Sequence, residues 1–190
     1  MDGFSFEEFS KFISALNYCA DRHRNQRRKD IERTPYLNHP VQVAELLWRV
    51  GGVRDMAVLT AALLHDVIED TGAGPDEIER LFGADVAALV LEVSDDKNLS
   101  KARRKELQVL HAPGLSRGAG LIKIADKICN VRDVTWSPPL NWTLQRRMEY
   151  LDWAAMVVER LGHCNPALEE LFRKVLAEGK KELQASGQHG

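Results

Sequence analysis

RDMAVLTAALLHDVIED, residues 54–70, is the stretch whose pattern decides the fold. Val58, Leu59, Ala62, Leu63 and Val67 recur at helical spacing, and apolar residues reach most of the way round. That is the pattern of a central, buried helix. Its far end, HDVIED, turns polar, and in one continuous helix His65, Asp66, Glu69 and Asp70 fall at i, i+1, i+4 and i+5 on one side. Carboxylates beside an apolar core are costly unless a cation or hydrogen bonds compensate. A divalent metal would compensate, and imidazole with carboxylate makes a suitable ligand set. The His-Asp pair alone is a weak signal. With 6 histidines and 28 acidic residues in 190, about one such dipeptide arises by chance, and acids at a helix end can simply be solvated.

Helical spacing continues on both sides of this stretch. Phe6, Phe9, Phe12, Ile13, Leu16 and Ala20 mark one amphipathic face; Val43, Leu46, Leu47 and Val50 mark a second, ended by Gly51-Gly52. Shorter helices are expected over 75–82, with Pro75 in the first turn, and over 84–93 after Gly83. A polar stretch, 94–100, leads to a charged helix over 101–111, and 113–120, with three glycines, reads as a loop. Helices over 121–134, 143–162 and 166–181 complete the set. No sustained strand pattern, internal repeat or long linker interrupts them. The expected fold is all-α, a single domain over residues 1–185 with a disordered tail, SGQHG, at 186–190.

A chain of 190 residues with 44% apolar content can bury a core unaided. Its formal net charge of -2 argues against a dedicated nucleic-acid-binding domain, while leaving room for small phosphorylated ligands. The amino terminus, MDGFSFEEFSKF, has acidic residues where a secretory signal has basic ones. The longest apolar run, 56–64, falls well short of the roughly 18–20 residues of a membrane span. Cys19, Cys129 and Cys164 are far apart and odd in number, against both a disulfide framework and a thiolate zinc site. The cytoplasm is the expected compartment, and the chain leaves room for a homo-oligomer.

Two further segments strengthen the metal reading. NHP, 38–40, puts His39 at the entrance to the second helix, with Pro40 suited to a first helical position. KIADKICNVRD, 123–133, sets Asp126 and Asn130 four residues apart on one helix face among Ile122, Ile124 and Ile128. A polar pair so placed faces a cavity, or Asp126 merely pairs with Lys123 or Lys127.

The ordered set His39, His65-Asp66 and Asp126 resembles the H…HD…D pattern of HD-domain phosphohydrolases. QRRKD (26–30), TPYLNHP (34–40), AALLHDVIEDT (61–71), FGADV (82–86), DDKNLSK (95–101), KIADKICNVRD (123–133) and EYLDWAA (149–155) follow in order. Together they resemble the RelA/SpoT-type hydrolase domain, specifically the stand-alone small alarmone hydrolases, over roughly Asp21 to Val158.

The resemblance implies that His39, His65, Asp66 and Asp126 hold one divalent ion, typically Mn²⁺. It implies that Glu69 orients or deprotonates the attacking water, with Asp70 in support, and that Asn130 positions the water or a phosphate oxygen. Arg28 and Lys29, in the basic run 22–30, match positions near the nucleotide, as does Tyr150. Lys97, Lys101 and Arg104 are assigned to the distal phosphates. Read without the resemblance, the basic run is a solvated face, Tyr150 a core aromatic and Asp70 an ion-pair partner.

The implied reaction removes the 3′-pyrophosphate of (p)ppGpp to give GDP or GTP and pyrophosphate. The chain stops where bifunctional relatives continue into a synthetase, so hydrolysis alone is expected. Cys129 stands where relatives commonly carry an aromatic or histidine, and VTWSPPLNW, 134–142, departs from their pattern. Substrate preference is therefore the open point, with ppApp and the 2′-phosphate of NADPH as alternatives. A non-catalytic nucleotide-binding regulator and a helical scaffold are the readings from other classes.

Overall fold

A helix over Met56–Leu64 forms the axis of the molecule in the computed structural model, which describes residues 4–187. Every residue of it except Ala57 is buried, as its all-round apolar pattern requires. Numbered along the chain, it is α3, preceded by α1 (Phe6–Arg22) and α2 (Asn38–Arg49). It is followed by α4 (Val67–Thr71), α5 (Pro75–Phe82), α6 (Ala84–Val93), α7 (Lys101–His111), α8 (Arg117–Trp136), α9 (Leu144–Arg160) and α10 (Pro166–Gly187). α1, α2, α6 and α8 pack round α3, while α8 carries α9 and α10 on its other flank. Among the described residues there is no strand, only one isolated bridge between Arg27 and Pro35. No described helix is long and apolar enough to cross a membrane.

Local chemistry starts these helices where they start. Ser5 and Glu8 form a reciprocal capping box on α1, and Asp55 accepts the Ala57 and Val58 N–H groups at the head of α3. Ser100, Ser116 and Thr143 cap α7, α8 and α9 in the same way. Pro75 occupies the first turn of α5, where its missing N–H has no partner to lose.

Four expectations need correction. The helix expected over 54–70 is two: α3 ends at Leu64, and at Asp66 the backbone (φ -102°, ψ -4°) leaves the helical repeat before α4 begins. The Asp66 carboxylate accepts the Tyr36 hydroxyl instead of capping α4, so the break turns His65 and Asp66 toward one point. Helix α8 begins at Arg117, so Gly118 and Gly120 are helical rather than part of a loop. A Cβ at Gly118 would lie 2.8 Å from Leu89 Cδ2, which is why glycine stands there. The buried stripe of α1 is Ala15 and Cys19, flanked by half-buried Phe12 and Leu16, while Phe6, Phe9 and Ile13 stay exposed. Small residues let α1 approach α3 closely. Finally, α10 continues past Lys181 to Gly187, so Ser186 and Gly187, expected in the tail, are helical; the rest of that tail, 188–190, lies outside the described residues.

Gly179 lies where α10 packs closely on Thr135 of α8. A Cβ there would sit 2.6 Å from Thr135 Oγ1, which is tied to the Val131 carbonyl at 2.8 Å, and 3.2 Å from Leu151 Cδ2. In an isolated helix Gly→Ala would stabilise by about 1 kcal/mol. Here overpacking of about 1–3 kcal/mol opposes it, so Gly179→Ala is expected to lower the thermal midpoint. A higher midpoint would mean that the seam has room to spare.

Candidate active site

The break after α3, the first turn of α2 and the middle of α8 meet at one buried point. His39 and His65 are 2% and 5% exposed, and Asp126 is buried on α8. One ligand atom from each of the three lies within 4.8 Å of the others. His39 Nε2 is 3.1 Å from Asp126 Oδ1, and His65 Nε2 is 3.1 Å from Asp66 Oδ2. The cross distances, His39 to Asp66 and His65 to Asp126, are each 3.9 Å. Two imidazoles and two carboxylates thus alternate around a small ring. An octahedral cation with bonds of about 2.1 Å keeps neighbouring donors about 3 Å apart, so this spacing fits one divalent ion. Asp66 stands at the edge of the ring, its Oδ2 shared with the Tyr36 hydroxyl.

Orientation supports the same fit. His65 Nδ1 lies 2.7 Å from the Ala62 carbonyl and donates to it, leaving Nε2 facing the ring with no hydrogen-bond partner of its own. An imidazole anchored through one nitrogen and bare on the other is the arrangement that metal ligands adopt. Burial opposes charge on His65, yet Asp66 and Asp126 beside it raise its pKa to about 9. Burial likewise pushes the carboxylates up, but His65 and His39 hold Asp66, and Lys127 and His39 hold Asp126, well below the usual carboxylate range. Such a ring favours positive charge at its centre.

Glu69 and Asp70 stand one turn on, in α4. Glu69 accepts from Arg104 at 3.1 Å and from the Asp95 backbone N–H at 3.3 Å. Burial raises its pKa, with Asp66 and Asp95 adding to the effect against the pull of Lys97. Asp70 accepts from Lys97 at 2.7 Å and from Gln26 at 2.8 Å. Asn130 donates to Asp126 at 2.5 Å and accepts from Arg28 at 3.2 Å, while Arg28 also pairs with Asp133. The pairing of Asp126 is with Lys127, at 2.9 Å, and not with Lys123.

Two cavities adjoin here. One, about 180 Å³, holds the His-Asp ring together with Glu69, Lys123 and Lys127. The other, about 260 Å³, is lined by Arg28, Lys29, Trp142 and Tyr150 among others. Tyr36, Asp70 and Asn130 border both. Tyr150 is at once cavity wall and packed aromatic, its ring 5.2 Å from Trp153 and 5.6 Å from Trp142. Lys101 lines neither cavity; its ammonium lies 5.3 Å from the centre of the Trp142 ring. Lys97 and Arg104, expected on distal phosphates, are engaged with Asp70 and Glu69. Tyr36 was missed, although it precedes His39 by three residues in TPYLNHP, a spacing that brings it near the same helix entrance.

Comparison with known proteins follows the same lines. A family model described as "HD domain" matches residues 15–163. The chain is 48% identical over 171 residues to the mouse guanosine-3′,5′-bis(diphosphate) 3′-pyrophosphohydrolase MESH1, covering 90% of this chain and 96% of that one. It is 49% identical to the human protein of the same name over 166 residues, with 87% and 93% covered. A solved structure described as a metazoan ortholog of SpoT that hydrolyzes ppGpp superposes with a TM-score of 0.88 at 44% identity, covering 94% of this chain and 98% of that one.

Proposed function

The chain belongs to the HD-domain family and, within it, to the stand-alone small alarmone hydrolases; from that premise we infer that it removes the 3′-pyrophosphate of (p)ppGpp, giving GDP or GTP and pyrophosphate. The observation that carries the reading is the buried cluster of His39, His65 and Asp126, with Asp66 at its edge, beside a cavity walled by Arg28, Lys29 and Tyr150. These four residues would hold one divalent ion. A donor set of nitrogen and oxygen without sulfur suits Mn²⁺, the ion we assign. When bound, such an ion polarises the phosphoryl group and lowers the pKa of water.

The chain's own residues do the rest. Arg28 and Lys29 offer the nucleotide cations, and Tyr150 with Trp142 offers aromatic surface. Asn130, fixed between Arg28 and Asp126, ties the nucleotide's place to the ring. Glu69, its pKa raised by burial, accepts a proton from the attacking water. The water oxygen bonds to the phosphorus next to the ribose, the bond from that phosphorus to the 3′-oxygen breaks, and the 3′-oxygen leaves with the proton that Glu69 took from the water. Asp70 holds Gln26 and Lys97 at the boundary of the two cavities. A nucleotide substrate agrees with cytoplasmic work and with a mildly acidic protein that sets Arg28 and Lys29 in the wall of one cavity.

Stripping the metal with EDTA tests this. Stripped protein is incubated with ppGpp, pppGpp, ppApp and NADPH, with and without Mn²⁺, and released pyrophosphate and phosphate are followed. Pyrophosphate is expected from ppGpp and pppGpp only with metal. Undiminished turnover after stripping, or product from ppApp or NADPH alone, would refute the assignment.

A further inference from the structure

Lys123 is the buried-site cation that the reaction scheme leaves without a role. It sits on α8, one turn before Asp126, and lines the cavity that holds the His-Asp ring. Its part-buried ammonium donates to the Val93 carbonyl, the last of α6, at 2.7 Å, and it forms no ion pair among the described residues. Every acid lining this cavity has a partner other than Lys123: Asp66 has the Tyr36 hydroxyl, Asp126 has Lys127, Asp70 has Lys97, Glu69 has Arg104, and Asp95 has Gln108 at 2.7 Å. A cation held in a polar cavity beside carboxylates already engaged is available to an anion that enters.

The cavities give that anion a direction. The nucleotide-side cavity meets the ring cavity at Tyr36, Asp70 and Asn130. The ring cavity also shares Val93, Asp95, Gln108 and Lys123 with a third cavity, about 230 Å³, which has no lining residue in common with the nucleotide-side cavity. Lys123 therefore borders the side away from the nucleoside. A pyrophosphate joined to the ribose 3′-oxygen, with its first phosphorus at the ring, extends its terminal phosphate toward that side.

We propose that Lys123 binds the terminal phosphate of the 3′-pyrophosphate, and so sets the preference for a 3′-pyrophosphate over a 3′-monophosphate. The inference rests on the hydrolase reading above. Burial, with Lys127 adding to it, lowers the pKa of Lys123, and a dianionic phosphate oxygen beside its ammonium favours the charged form. The rival role is structural: Lys123 as a cap on the α6 carboxyl end, which a cation there also favours.

Lys123→Gln separates the two, since the amide can still donate to the Val93 carbonyl but carries no charge; Lys123→Met removes both. Each variant is loaded with Mn²⁺ and assayed on ppGpp and on guanosine 5′-diphosphate 3′-monophosphate, with inorganic pyrophosphate as inhibitor and a thermal melt as the folding control. In both variants kcat/KM on ppGpp is expected to fall about 100-fold and on the monophosphate less than tenfold, while pyrophosphate inhibition weakens at least tenfold. Equal losses on both substrates, unchanged pyrophosphate inhibition, or a defect confined to Met together with a lowered melt would overturn the proposal. If Met does not fold, Gln alone decides by the same ratio. Failure of the unmodified protein to turn over ppGpp would instead strike the hydrolase reading, so the two failures are distinguishable.

Discussion

Asp66→Asn is expected to cut kcat/KM on ppGpp by roughly 1,000-fold or more, because the ring loses a negative charge while keeping its shape. The amide still fills the space between Tyr36 and His65. It no longer balances the charge of a divalent ion, and Mn²⁺ affinity should fall by more than the 10- to 100-fold typical of altering a ligand's supporting partner. Asp66 is the better test than Asp126. Asp126 also neutralises the buried Lys127, so Asp126→Asn would leave an unpaired charge in the core, worth about 3–5 kcal/mol of stability. Isothermal titration with Mn²⁺ beside steady-state kinetics checks the prediction; full affinity with full turnover would exclude Asp66 from the ring.

Glu69→Gln should separate metal binding from chemistry. Glutamine keeps the shape but has a single acceptor oxygen, so it holds either Arg104 or the Asp95 N–H and not both, and it cannot take a proton from water. A loss of about 10²–10⁴-fold in kcat is expected, with KM and Mn²⁺ affinity within a few-fold of the parent. In the parent, burial raises the Glu69 pKa, so activity should fall with decreasing pH at values above the usual glutamate range, and the Gln variant should lose that limb. An unchanged kcat would move the base elsewhere. Cys129, buried on α8 within the core, is expected to tolerate Ala with little change in rate.

How much of this was legible in the sequence depends on which interactions are local. Pro75, Gly83 and Ser100 punctuate the chain where they stand, and α5, α6 and α7 have the bounds that such residues signal. The break at Asp66 was hidden because apolar spacing runs on from Leu64 to Val67 and Ile68; it depends on Tyr36, thirty positions earlier. Gly118 looked like a breaker because its reason, the Leu89 side chain on α6, is tertiary. The same division applies to the site. The histidines, aspartates and Asn130 stand in short recognisable segments, and the structure brings them together. The engagement of Lys97 and Arg104 with Asp70 and Glu69 joins residues 27 to 35 positions apart, and no spacing rule reveals it.

Crystals grown with Mn²⁺ and measured at a wavelength where manganese scatters anomalously would test the central claim most directly. One strong peak is expected, bonded to His39 Nε2, His65 Nε2 and oxygens of Asp66 and Asp126. No peak between those four side chains, or a peak held by other residues, would contradict it.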